Sequence, residues 1–280
     1  AALIFEPCKA MFRWAKSHEG MIDNNPAEDI RLEVPKGKKG SEKSRRPFKA
    51  SELSTLFSSS IFTGCASKHR RYESGEVRIK DGKFWIPLLG FYTGARLGEL
   101  VQLHVSDVQL NGPVPFLSFN EDNADIQDAA DKKHIKSEAG IRRVPLHPDI
   151  LELGFAELII GRKGLKKNST RLFPEFPYGS DGQASTVASK WFARAMDKVG
   201  LPDPTLVFHS FRHLAEDLFR NAKQPQYLID RVLGHSDGAT SSIYGEGVSL
   251  ETMREAIVSA YEHVSLVEIV APPRNSGKGL

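Results

Sequence analysis

Only two cysteines, Cys8 and Cys65, occur in the 280 residues, far apart in the chain and in no metal-ligand or redox spacing. Their scarcity excludes a disulfide scaffold and fits a reducing compartment, so a cytoplasmic location is expected. Also missing is any apolar run approaching the roughly 18 residues that span a bilayer. Residues 1–11 show no basic segment followed by an apolar block, so no secretory leader is read there. A marked excess of one sign of charge is missing too. Lys and Arg number 38 against 35 Asp and Glu, and the net charge of +3 is too mild to establish nucleic-acid binding. No internal repeat or low-complexity tract appears. A chain of this length holds one large core or two smaller domains.

What is present is uneven. Residues 31–49 contain Arg31, Lys36, Lys38, Lys39, Lys43, Arg45, Arg46 and Lys49 against only Glu33 and Glu42. Such a run is either a solvated linker or a strap that contacts phosphates, and charge alone does not choose. Before it, residues 3–19 have helical apolar spacing interrupted by Pro7. The start is abrupt, with neither a cap nor an initiator Met, and residues 1–34 read as the end of a helical domain whose beginning is absent. Residues 35–47 read as a flexible basic linker, 48–265 as a second domain, and 266–280 as a flexible tail.

Within the second domain Ser51 looks like the cap of an opening helix. Residues 83–93 form an apolar helix, with Pro87 near its first turn and a break at Gly94. A further helix starts near Arg96. Residues 114–119, 132–136 and 141–146 read as short strands. Helices return from 149, the clearest being 185–199 and the segment from Pro225 to a stop at Gly234. Residues 251–263 read as another, ahead of the apolar SLVEIV. The expected class is therefore mainly α with a small antiparallel sheet. Segments 61–82 and 120–131 look like insertions without an assigned purpose.

Five features carry chemistry. Arg96 stands in TGARLGEL and Lys136 in HIKSEAGIRRVPLH. His209, Arg212 and His213 form HSFRH, His235 follows Gly234 in LGHS, and Tyr244 comes nine residues later. Each has a plain structural explanation: an ion-pair partner, a surface lysine, a core tyrosine. HSFRH also invites a metal reading through His209, His213 and His235. The zinc-protease motif needs a Glu where Ser210 stands, so that match fails.

The ordered set of Arg, Lys, His-x-x-Arg-His, Leu-Gly-His and Tyr resembles the tyrosine recombinase, or phage integrase, family. The likeness runs through about residues 48–260. RRPFKASELSTLF resembles the entry to that family's catalytic domain, GFYTGARLGELVQLHVSDV its first-arginine segment, IKSEAGIRRVPLHPDI its lysine hairpin, and SKWFARAMDKVGL the helix leading to the second arginine. Residues 10–26 resemble the end of the family's core-binding domain. One departure is the run Leu214, Ala215, Glu216, Asp217, which makes that helix face unusually acidic.

The resemblance implies a fold of the DNA breaking-rejoining type and a metal-independent strand transferase with no cofactor. It makes Tyr244 the nucleophile, Arg96 and Arg212 the clamp on the phosphate, and His235 a donor to the same oxygens. Lys136 becomes the general acid and His209 an assistant, with Glu99 and His213 in support. The product would be a 3′-phosphotyrosyl linkage, in the integration or excision of a mobile element. The implied partners are double-stranded DNA, met by Lys36, Lys38, Lys39, Lys43, Arg45 and Arg46, and further copies of the chain in a synaptic tetramer, the C-terminal segment packing either onto a neighbour or back in cis. The location implied is the cytoplasm, on the bacterial nucleoid when DNA is bound. Alternatives are a type IB topoisomerase, a DNA-binding protein with a vestigial site, and a metal-dependent hydrolase.

Overall fold

The computed structural model describes residues 2–18, 21–30, 45–124, 126, 131–135, 138–163, 170–235 and 248–271. The chain divides into two compact units, Ala1–Ser44 and Arg45–Leu280. The first contains helix α1 (Ala2–Ser17), which runs unbroken through Pro7. It is tied to the following segment by the Lys9 ammonium, which donates to the Glu28 carbonyl at 2.9 Å.

The second unit is helical around a small sheet. Its helices are α2 (Ala50–Phe57), α3 (Ser60–Thr63), α4 (Gly82–Thr93), α5 (Leu97–Val101), α6 (Pro148–Glu152) and α7 (Phe155–Lys163). They continue with α8 (Ala184–Lys198), α9 (Ser210–Asn221), α10 (Gln226–Leu233), α11 (Leu250–Ala260) and α12 (Val267–Val270). Strands β1 (Val108–Gln109), β2 (Phe116–Phe119) and β3 (Arg142–Pro145) form an antiparallel meander in chain order. Phe119 lies opposite Arg142 and Leu117 opposite Val144. A mainly helical fold with one antiparallel sheet is what the sequence led us to expect.

At the centre lies α4. It is apolar on every face, as a helix surrounded by others must be, and its residues from Phe84 to Thr93 are all buried. Asp81 starts it by accepting the Lys83 N–H at 3.0 Å, and Asp81 is itself held by the buried Arg71 at 2.6 Å. This gives the 61–82 insertion a structural task, because Arg71 belongs to it. Helix α9 packs on α4 and α11, α5 on α8, and α10 on α9 and β3. Phe91, Phe211, Phe57 and Phe192 meet edge-on or tilted where these helices cross.

Several expectations are corrected. Pro87 sits mid-helix, because α4 begins at Gly82. The first cap of the second unit is Lys49 and not Ser51: the Glu52 carboxylate turns back to accept the Lys49 N–H at 2.8 Å. Residues 132–135 form no strand. Three of their N–H groups are taken by side chains and are lost to a ladder, the Lys133 N–H by Asn123 (2.7 Å), the His134 N–H by Gln102 (3.0 Å) and the Ile135 N–H by Glu121 (2.6 Å). The tail begins later than residue 266, since Leu266 and Val270 are buried and α12 packs on α2 and α3 of its own chain. Buried polar contacts add to that packing. The Tyr92 hydroxyl donates to Asp149 at 2.5 Å and accepts the Leu266 N–H at 3.0 Å, and Tyr261 donates to the Phe91 carbonyl. Residues 272–280 lie outside the described set.

Packing around α4 leaves no spare volume at Gly90, where a Cβ would come within 2.5 Å of the Phe208 ring. Gly90→Ala should therefore destabilise the second unit by about 1–3 kcal/mol, the usual effect of overpacking. Urea unfolding checks it through a lowered midpoint at unchanged slope.

Candidate active site

The site forms where the ends of α4 and α10 meet. Helix α4 stops at Gly94, whose φ of 60° is left-handed. A Cβ there would lie 2.4 Å from the Leu233 side chain, so glycine is required by both conformation and space. Two residues on, Arg96 is the N-cap residue of α5. The Glu99 carboxylate reaches back to its N–H at 2.9 Å and also accepts its guanidinium at 2.7 Å. The same carboxylate accepts from Arg142 at 2.9 and 3.3 Å. Glu99 is thus a buried anion shared by two arginines.

Helix α10 ends at Gly234, also left-handed with φ 70°. The last carbonyls of a helix have no partner within it and carry the negative end of its dipole. Here three successive ones are taken by three guanidiniums. Arg142 Nε donates to the Val232 carbonyl at 2.8 Å, Arg212 Nη1 to Leu233 at 2.5 Å, and Arg96 Nη2 to Gly234 at 3.2 Å. Arg212 Nη1 also donates to the Gly94 carbonyl at 3.1 Å, closing the junction between α4 and α10. Arg212 Nη2 is buried without a partner among the described residues, a donor left over for an incoming acceptor.

Electrostatics follow from this crowding. Burial, then Arg96 and Arg142, push the Arg212 guanidinium down to about 10, which leaves it charged at neutral pH. Burial alone would raise the Glu99 carboxyl, but Arg142 and Arg96 hold it below the usual carboxylate range. His209 is the N-cap residue of α9, and its ring meets that of His213 edge-on, 4.9 Å between centroids. Burial, then His213, Arg212, Arg45 and Arg96, push His209 down to about 4. His235, next after Gly234, has its Nδ1 3.3 Å from Asp230. Burial and Arg212 hold it below an ordinary histidine, with Asp230 opposing. Both imidazoles are therefore neutral at pH 7.

Of the residues singled out from sequence, Arg96, Glu99, His209, Arg212 and His235 come together here, with His213 against His209. Lys136, Tyr244, Lys36, Lys38, Lys39 and Lys43 lie outside the described residues. Arg46 has a different occupation from the one expected. Its guanidinium is held between Glu52 at 2.6 Å and Asp203 at 2.8 Å, an anchor for the basic segment instead of an open phosphate contact. Arg45 acts electrostatically on His209. Within the acidic run of α9, Glu216 pairs with Arg220 at 2.6 Å, and its charge also acts on Arg212 and His235, favouring the protonated form of each. Among the described residues no group of three His, Cys, Asp or Glu side chains could hold a metal ion, and no helix is long and apolar enough to cross a membrane. Arg142 was missed. The signal was its strand parity with Val144 and Leu146, which puts it on the inward face while Arg143 stays exposed.

The depressed histidines link stability to acid. Below pH 6.5 an unfolded histidine binds a proton that folded His209 refuses until about pH 4. Stability present above pH 6.5 should be progressively lost as pH falls through that window. A melting series from pH 7 to 5 should show the midpoint falling, and falling less in His209→Gln. Equal slopes for both proteins would contradict the assignment.

Comparison with known proteins gives the site its context. No curated protein matches the sequence. The Tn1549 transposon integrase, solved in complex with transposon right end DNA, is 19% identical with a TM-score of 0.53, over 89% of this chain and 75% of that one. The XerH site-specific recombinase, bound to palindromic difH substrate in a post-cleavage complex, is 21% identical with a TM-score of 0.50, over 92% of this chain and 62% of that one. At such identities the likeness is one of fold. The sequence profile of the phage integrase family, however, matches residues 83–247, more than half of the chain and the whole stretch from α4 through Tyr244. The chain belongs to the phage integrase family of enzymes that cut and rejoin DNA.

Proposed function

We propose that this chain cuts a DNA strand by attack of the Tyr244 hydroxyl on a phosphodiester, conserving the bond as a 3′-phosphotyrosyl linkage that is later rejoined to a second strand. The observation that carries the reading is the convergence of Arg96, Arg212 and His235 at the end of α10. Two guanidiniums there offer donors to non-bridging phosphate oxygens, the charge that grows in the transition state, and an arriving phosphate favours the protonated His235 imidazole, whose second N–H faces away from Asp230. The buried, unpartnered Arg212 Nη2 adds a donor already desolvated for that purpose.

In the proposed step the Tyr244 oxygen bonds to phosphorus and the bond to the 5′-oxygen breaks. A phenol near pKa 10 costs about 4 kcal/mol to ionise fully at pH 7, so it needs a proton acceptor. With a pKa of about 4 His209 is too weak a base for that role and is proposed to assist at the phosphate, the phenol proton passing to water. Lys136 gives its proton to the departing 5′-oxygen, while Glu99 and His213 hold their neighbours in place. Lys36, Lys38, Lys39, Lys43 and Arg45 are proposed to meet backbone phosphates of the duplex. Rejoining two partners requires paired copies of the chain, and a synaptic tetramer on the nucleoid fits that need. The transposon end DNA bound by one fold neighbour, the Tn1549 integrase, supports mobile-element DNA as substrate.

Tyr244→Phe removes one hydroxyl, so duplex binding should persist while covalent adducts on a nicked suicide substrate disappear. Adducts formed by the Phe variant would rule out Tyr244. Lys136 is tested by leaving-group chemistry. Lys136→Ala should lose about 10²–10⁴-fold in cleavage, the usual worth of general acid catalysis. A bridging 5′-sulfur departs as a thiolate, whose conjugate acid has a pKa of about 8.5, and needs no acid. That substrate should restore Lys136→Ala but not Arg212→Ala. Equal rescue of both, or of neither, would make Lys136 a phosphate-binding residue.

A further inference from the structure

Arg142 belongs to none of the roles above, yet it is the most enclosed cation of the site, its side chain wholly buried. Its guanidinium joins three separate segments. It donates to Glu99 on α5 at 2.9 and 3.3 Å, to the Gly140 carbonyl at 2.9 Å, and to the Val232 carbonyl on α10 at 2.8 Å. Its flat face lies over Phe119, 4.5 Å from the ring centroid. On α10 the fit extends to Gly234, where a Cβ would stand 2.9 Å from Arg142 Nη1.

Each bond has a consequence for a reacting group. Glu99 is the carboxylate that aims Arg96, and Val232 stands three residues before His235, at the end of α10. A buried ion pair alone does not account for this arrangement, because well-packed apolar side chains replace such pairs with little loss. The planar fork does: it serves three acceptors in fixed directions, which a single ammonium cannot.

We infer that Arg142 is a positioning residue that ties the turn carrying His235 to the Arg96–Glu99 pair, setting the distance between two phosphate-binding groups. It touches no substrate atom. The inference rests on the reading of His235 as a donor to the phosphate.

The test is a double-mutant cycle in the full chain, with cleavage of a suicide duplex measured at saturating DNA and affinity measured separately. Arg142→Lys keeps a cation beside Glu99 and should fold. Its affinity should stay within about threefold, while its cleavage rate falls on the order of 10²-fold, the cost of a displacement of about 1 Å at a reacting centre. In a His235→Ala background the same change should cost less than about threefold, because one end of the distance being set is gone and the lysine still neutralises Glu99 beside Arg96. Wild-type cleavage by Arg142→Lys, or its full cost retained without His235, overturns the inference. Should Arg142→Lys melt early, the neutral pair Glu99→Gln with Arg142→Gln avoids a stranded buried charge, and the same cycle is read in that background. His235→Ala cleaving at the wild-type rate would sink the reading of His235 itself, an outcome distinct from an additive cycle.

Discussion

Helix α10 ends on carbonyl oxygens that its own backbone cannot satisfy, and the protein meets them with cations. Arg142, Arg212 and Arg96 take Val232, Leu233 and Gly234 in turn. Because these arginines come from β3, α9 and the start of α5, the helix end becomes the point where the parts of the second unit are joined. The two left-handed glycines, Gly94 and Gly234, let the backbones approach closely enough for those bonds to form. A side chain at either place would push apart the groups that the chemistry needs together.

The charge balance follows from the same joint. Two guanidiniums, those of Arg96 and Arg142, share one buried carboxylate, Glu99, while Arg212 bonds only to carbonyl oxygens. Burial first, and then the excess positive charge, keeps the nearby imidazoles neutral, and that excess is relieved when an anion arrives. Arginine suits this better than lysine, because it stays protonated when buried and its several donors can grip a helix end and an incoming oxygen at once. Helix-end carbonyls orient the cations without neutralising them.

Much of this was legible in the sequence, for identifiable reasons. Arg96, Arg212 and His235 stand beside backbone signals, the glycine stops at Gly94 and Gly234 and the start of α9, so their positions could be read from local chemistry. Helix α4 was legible because it is apolar throughout. The strand expected at 132–136 failed because side-chain capture of backbone N–H groups by Asn123, Gln102 and Glu121 is a tertiary event with no periodic trace. The ion pairs of Arg46 stayed hidden for a similar reason. A basic run looks uniformly solvated until Glu52 and Asp203, the latter 157 residues away, are brought to one member of it. Arg142 stayed hidden because two adjacent arginines on a strand look alike until the sheet assigns one of them inward.

The dispersal of the site along the chain has a consequence for synthesis. Arg96 and Glu99 leave the ribosome long before Arg212 and the end of α10 exist. Helix α4 is covered on one side by α9 and fixed at the Phe91 carbonyl by Tyr261, close to the last described residue. A nascent chain therefore holds its first arginine without the partners that would order it. Competence to cut therefore waits until the residues through Tyr261 have been made, and a polypeptide cut short before them is chemically silent.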